Sequence, residues 1–153
     1  MNALELKIPP PLVALCLAIL MWLTARPTGS LAVPVGPRLG VALALVGAGL
    51  GISVSGVVAF RRARTTVNPI KASSASALVV SGIYRYTRNP MYLGLLIALF
   101  AWAVYVSRPL ALIFLPVYVL YITRFQIVPE ERILGSLFGT AYSAYRARVR
   151  RWL

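Results

Sequence analysis

The sequence predicts an all-α integral membrane protein: about four transmembrane helices, the third and fourth a tight hairpin, followed by a C-terminal amphipathic helix lying at the membrane interface. Three observations predict it. Of 153 residues, 59% are hydrophobic and only 12% are charged, and the mean hydropathy is +0.80, which no ordinary water-soluble domain shows. The apolar residues gather into four runs. The sixteen cations lie between those runs, giving a net charge of +13. In a soluble chain such a charge suggests nucleic acid, but no nucleic-acid-binding fold signature is present. The natural partners of cations so placed are anionic membrane lipids.

The first run, Pro10 to Ala25, is short for a span and opens on prolines. No convincing small-residue cleavage pattern follows it, so it reads as a mature helix rather than a secretory signal. Its one cysteine, Cys16, has no partner for an intrachain disulfide and reads as a small buried hydrophobe. The second run, Leu39 to Phe60, is ~33 Å long as a helix and crosses a bilayer. Its Gly40, Ala44, Gly47, Ala48, Gly51 and Ser55 recur at the spacing that lets helices approach closely in lipid. Gly47 and Gly51 form a GxxxG, which points to packing within the chain or, alternatively, to a homodimer.

The third and fourth runs, Met91 to Val106 and Pro109 to Thr123, are separated only by Ser107 and Arg108, so they form an antiparallel hairpin. In the tail, Leu134, Phe138, Tyr142, Tyr145, Val149 and Trp152 recur at helical spacing with arginines elsewhere around the axis, and Gly139 is the expected break. The whole reads as one membrane domain, with a two-helix part at 1–64 and a motif-bearing part at 65–153.

Orientation follows from the cations. With both termini cytoplasmic, Lys7, Arg61, Arg62, Arg64, Lys71, Arg85, Arg88, Arg124, Arg132, Arg146, Arg148, Arg150 and Arg151 share one side, against Arg26, Arg38 and Arg108 on the other. Chemistry is therefore expected at the cytoplasmic face.

Three residues are acidic, none is Asp and none is His. That inventory disfavours metal-ion catalysis, a Ser-His-Asp triad and a histidine base. Two of the three acids are adjacent, Glu130 and Glu131, placed just after Pro129 and beyond the last apolar run. Acids in a first helical turn complement the helix dipole, but a lone pair among arginines also suits a ligand's cationic or hydroxyl groups. At the start of the third helix, Asn89 and Pro90 read as cap and first residue. The exposed N–H groups there, with Arg85 and Arg88 beside them, suit a carboxylate or phosphate. Tyr84, Tyr86 and Tyr92 add aromatic faces, for a ligand or for the membrane interface.

Taken together, Gly82-Ile-Tyr84-Arg85, Arg88-Asn-Pro90-Met-Tyr92-Leu-Gly94, Glu130-Glu131 and Phe138-Gly139 with Tyr142 and Tyr145 resemble the isoprenylcysteine carboxyl methyltransferase and phospholipid methyltransferase superfamily. The resemblance covers roughly Thr65 to Trp152. Where the superfamily commonly has His, this chain has Asn89, which cannot titrate near neutral pH.

The resemblance implies S-adenosylmethionine bound at the cytoplasmic mouth of the third and fourth helices, by Tyr84, Arg85, Arg88, Asn89, Pro90, Tyr92, Gly94, Glu130 and Glu131. It also implies a lipophilic, lipid or prenylated acceptor entering from the bilayer. Arg148 is expected to position an anionic acceptor, and Glu131, with Glu130 the one other nearby carboxylate, to take a proton from an amine acceptor. The richness in Ala, Arg and Gly suggests a prokaryotic cytoplasmic membrane. The alternatives are a membrane NAD(P)H-dependent reductase of related scaffold, typically a longer chain, and a non-enzymatic helix bundle.

Overall fold

The computed structural model describes residues 5–27, 29–63 and 77–153; the expected boundary at 64/65, with Arg64 and Lys71, lies outside them. Among the described residues all regular structure is helical. The α-helices are α1 (Pro10–Ala25), α2 (Val35–Arg62), α3 (Pro90–Val106), α4 (Phe114–Ile122) and α5 (Val128–Arg148). Short 3-10 turns occupy Gly82–Arg85 and Pro109–Ile113, and a π turn occupies Thr123–Ile127.

Helix α1 has the predicted bounds, while α2 is longer than its apolar run and includes Arg38, Arg61 and Arg62. Two helical stretches are long and apolar enough to cross a membrane, Val35–Arg62 and Pro109–Arg148; α1 and α3 are apolar but shorter. Many of their large side chains, among them Leu15 and Leu23 of α1 and Leu43 and Leu50 of α2, point outward. Cys16 is exposed too, against expectation.

The hairpin forms as predicted. Ser107 ends α3 with φ 56° and ψ 41°, and its N–H closes on the carbonyls of Ala103 and Val104. Pro109 then opens the next turn.

Beyond the hairpin the structure departs from the sequence reading. The fourth run was expected to stop at Thr123, yet helical backbone continues from Pro109 to Arg148. The π turn ends two residues before Pro129, which has no N–H to donate and whose ring crowds the carbonyl four residues back. Widening the helix by one residue there lets the chain pass the proline. The real break is Gly139, at φ 49° and ψ −121°, a conformation that favours glycine.

The glycines of α2 expected to pack within the chain do not do so. Gly40, Gly47 and Gly51 have nothing near the position of a Cβ. Gly49 and Gly56 face α3 instead: a Cβ on Gly49 meets the Gly94 carbonyl at 2.7 Å, and one on Gly56 meets Pro90 at 3.0 Å. On a helix a shift of two residues is a turn of ~200°, so the GxxxG lies on the opposite face from the packed one.

Two clusters form the core. The larger joins Val13, Leu17 and Met21 of α1 to Tyr92, Leu99, Tyr118, Ile122 and Ile127. In the smaller, Tyr142 and Tyr145 pack with Val79 and Tyr84, flanked by Phe60, Leu134, Phe138 and Val149. The apolar stripe of the tail thus covers the chain's own 3-10 turn and the end of α2. Trp152 leaves that stripe for the larger cluster, and its indole N–H donates to the Thr123 hydroxyl at 3.3 Å.

The cations divide between the two ends of the bundle. Phe60 contacts Tyr84, and the Leu6 N–H donates to the Phe125 carbonyl. These contacts gather the end of α2, the starts of α1, α3 and α5, and the C-terminus at an arginine-rich end. Leu31 bonds to Ser107 and Arg108 to the Arg26 carbonyl at the far end.

Candidate functional site

The site forms where the C-terminal residues cross the start of α3. After Arg148 the chain is extended, and its carbonyls receive the segment before α3. The Arg88 N–H donates to the Arg150 carbonyl at 3.1 Å. The Arg151 carbonyl accepts from the Thr87 hydroxyl at 3.4 Å and from Asn89 Nδ2 at 2.8 Å.

Asn89 therefore does not cap α3 with its side chain, as the sequence had suggested. Its amide is turned to the C-terminal segment, and the Thr87 hydroxyl accepts the Asn89 N–H at 3.2 Å. Asn89 leaves the first N–H groups of α3 without a side-chain cap among the described residues, which leaves the positive end of the helix dipole there.

Arg88 and Glu131 meet at 3.2 Å, their side chains only 10% and 11% exposed. Arg151 grips the same carboxylate through two nitrogens, Nε to Oε1 at 3.0 Å and Nη2 to Oε2 at 2.8 Å. Hydrogen bonding to Glu131 is the main reason the Arg151 pKa is raised above its ordinary value. Glu131 is thus held between two arginines. Arg88, however, keeps Nε and Nη1 buried without a well-formed hydrogen bond among the described residues, the Tyr142 hydroxyl lying close beside the guanidinium. Buried donors on a charged group are costly to leave unpaired.

The other carboxylate lies one residue away. Glu130 Oε1 accepts from the Tyr92 hydroxyl, and the Tyr92 carbonyl accepts from the Tyr118 hydroxyl at 3.3 Å. Tyr84 is buried against Phe60, and its carbonyl accepts from the Tyr145 hydroxyl at 2.8 Å. Burial above all, with Tyr145 and Glu130 adding, pushes the Tyr84 hydroxyl well above its ordinary pKa, so it stays protonated.

The structure therefore brings together Arg88, Asn89, Pro90, Tyr92, Glu130 and Glu131, with Tyr84 at their edge. Three predicted residues stand apart. Arg85 is exposed. Arg148 is exposed in the last turn of α5, with its Nε bonded to the Ala144 carbonyl at 3.3 Å. Gly94 belongs to the α2–α3 crossing, where a Cβ would lie 2.0 Å from Ser53 Oγ and 2.4 Å from the Gly49 carbonyl.

Sequence reasoning missed Arg151 and Thr87 as site residues. Arg151 lies twenty residues beyond Glu131, past the end of α5, so no helical periodicity links the two. It also missed the third acid, Glu5, which is buried and ion-paired to Arg124 at 3.0 Å and Arg132 at 2.9 Å.

Comparison with known proteins shows the family. An uncharacterized protein of Haemophilus influenzae is 44% identical over 63 residues, which are 41% of this chain and all of that protein. No solved structure matches. The model of the phospholipid methyltransferase family matches residues 37–141. That span starts within α2, earlier than the motifs suggested, and takes in Arg88, Tyr92, Glu130, Glu131 and Gly139. With more than half of its length matched, the chain belongs to the phospholipid methyltransferase family.

Proposed function

We propose that the chain is an S-adenosylmethionine-dependent methyltransferase acting on a lipophilic acceptor at the arginine-rich end of a multi-pass bundle, with that end cytoplasmic. The observation that carries this reading is the pair of buried Arg88 donors, without a well-formed hydrogen bond among the described residues, beside two carboxylates and the start of α3 that Asn89 leaves uncapped. The amino-acid end of the methyl donor carries one anionic and one cationic group. Arg88 Nε and Nη1 suit its carboxylate, and Glu130 suits its ammonium or ribose hydroxyls. Tyr84 and Tyr92 suit its adenine as apolar walls.

When bound, S-adenosylmethionine supplies a methyl group already activated on a sulfonium sulfur. The residues then have to align and exclude water, which provides a large effective molarity. Glu131 fixes Arg88 and Arg151 in place. Asn89 ties α3 to the C-terminal segment and does not shuttle a proton. An acceptor carboxylate needs no base. For an amine acceptor Glu131 is engaged by two arginines, so Glu130 is the carboxylate that takes the proton. Arg148, at the surface end of α5, meets an anionic acceptor head group.

Calorimetric titration of the purified protein tests the assignment: micromolar binding of S-adenosylmethionine is expected, at least tenfold weaker in Arg88→Ala and Glu131→Gln. Unchanged binding in both variants sinks the site, and binding of a nicotinamide dinucleotide in its place favours a reductase. Labelled methyl transfer into a whole-lipid extract then identifies the acceptor.

A further inference from the structure

At the far end of the bundle is a cleft of about 280 Å³ between the start of α2 and the turn that closes the hairpin. Its walls are Val41 of α2, Phe100 and Val104 of α3, and Pro109 and Leu112 beyond the turn, with Arg38 at its edge. Val41, Phe100 and Leu112 are substantially exposed. The cleft is rigidly framed, because the Leu31 N–H donates to the Ser107 carbonyl at 2.8 Å and the Ser107 hydroxyl returns a bond to the Leu31 carbonyl at 3.4 Å.

Arg38 makes this cleft more than an apolar gap. Its guanidinium lies 5.8 Å from the Tyr105 ring centroid, and its Nε is buried without a hydrogen-bond partner. The chain's carboxylates cannot answer it: Glu5 is paired to Arg124 and Arg132, Glu131 to Arg88 and Arg151, and Glu130 meets Tyr92. All of these lie at the arginine-rich end, separated from the cleft by the length of α3, ~25 Å. No carboxylate of the described chain pairs with Arg38, so its charge is open to an anionic group from another molecule. An apolar slot lined also by Arg38 and Arg108, the latter donating to the Arg26 carbonyl, on a chain of membrane character, matches an amphiphile with an anionic head.

We propose that this cleft binds one anionic phospholipid, its phosphate on Arg38 and an acyl chain along Val41, Phe100, Val104 and Leu112. The site is separate from the candidate methyl-transfer site and stands whether or not that assignment does.

Native mass spectrometry of the full chain, released from micelles carrying phosphatidylglycerol or phosphatidylcholine with the same acyl chains, tests it. The expected result is at least fivefold greater retention of one phosphatidylglycerol than of phosphatidylcholine. Arg38→Gln should remove that one retained lipid, leaving any lipids held by the arginine-rich end. Val104→Trp, which fills the slot and keeps the cation, should remove it as well, and carries the test alone if Arg38→Gln does not fold. Equal retention of the two lipids overturns the proposal. So does undiminished retention in a folded variant, or displacement of the lipid by millimolar inorganic phosphate alone, which would mark a site for a soluble anion.

Discussion

Arg151 holds Glu131 with two nitrogens, at 3.0 and 2.8 Å, and so fastens the C-terminus to the start of α5. The same carboxylate holds Arg88 from the other side. A residue two positions from the C-terminal Leu153 thereby braces the cation assigned to the methyl donor.

A double-mutant cycle measures that brace. Arg151→Ala and Glu131→Gln, alone and combined, should show a coupling of about 1 kcal/mol in thermal unfolding, because the pair is bidentate but Arg151 remains partly exposed. Additive effects would show that the contact contributes nothing. Arg151→Ala should also weaken S-adenosylmethionine binding less than Arg88→Ala does, since it acts only by positioning.

Removing the Asn89 amide should loosen the C-terminal segment. Asn89→Ala loses the 2.8 Å bond to the Arg151 carbonyl, at a cost of about 1 kcal/mol. Faster trimming of the last residues by carboxypeptidase is the expected readout. If Asn89 instead acted as a helix cap, its loss would fray α3 and leave the C-terminus as resistant as before.

The α2–α3 crossing gives a contrast between two glycines. Gly94→Ala places a methyl 2.4 Å from the Gly49 carbonyl, and overpacking against backbone should destabilise by about 1–3 kcal/mol or more. Gly47→Ala meets nothing and should stay within about 0.5 kcal/mol of the parent. Unfolding midpoints in one detergent decide the comparison. A large loss at Gly47 would point to a homodimer through the GxxxG face.

Glu5 anchors the N-terminus. Its side chain is 3% exposed while Arg124 and Arg132 are half exposed, so Glu5→Gln should lower stability by about 1–2 kcal/mol. The Leu6 bond to the Phe125 carbonyl should open with it, seen as faster amide exchange at Leu6.

The course of the chain was largely legible in the sequence because membrane helices announce themselves locally. The bounds of α1, the Ser107-Arg108 hairpin and the Gly139 break each follow from a few neighbouring residues. Arg88, Tyr92 and the two glutamates were legible as a set because they stand in a recognisable order along the chain. What periodicity misplaced was direction. The small residues of α2 were assigned to the face carrying Gly47 and Gly51, when Gly49 and Gly56 meet α3.

The sequence by itself determined an all-helical, apolar chain with its cations in two groups, carrying the motifs of its family. Only the tertiary structure decided that Glu131 joins Arg88 to Arg151, that Asn89 bonds the C-terminus, and that Gly94 belongs to packing. The physical reason is reach. Hydrophobic patterning and capping act over a few residues, whereas Glu131 and Arg151 meet across twenty, and Asn89 and Arg151 across sixty-two. Such meetings depend on how the helices cross, and that is set by the whole packed bundle.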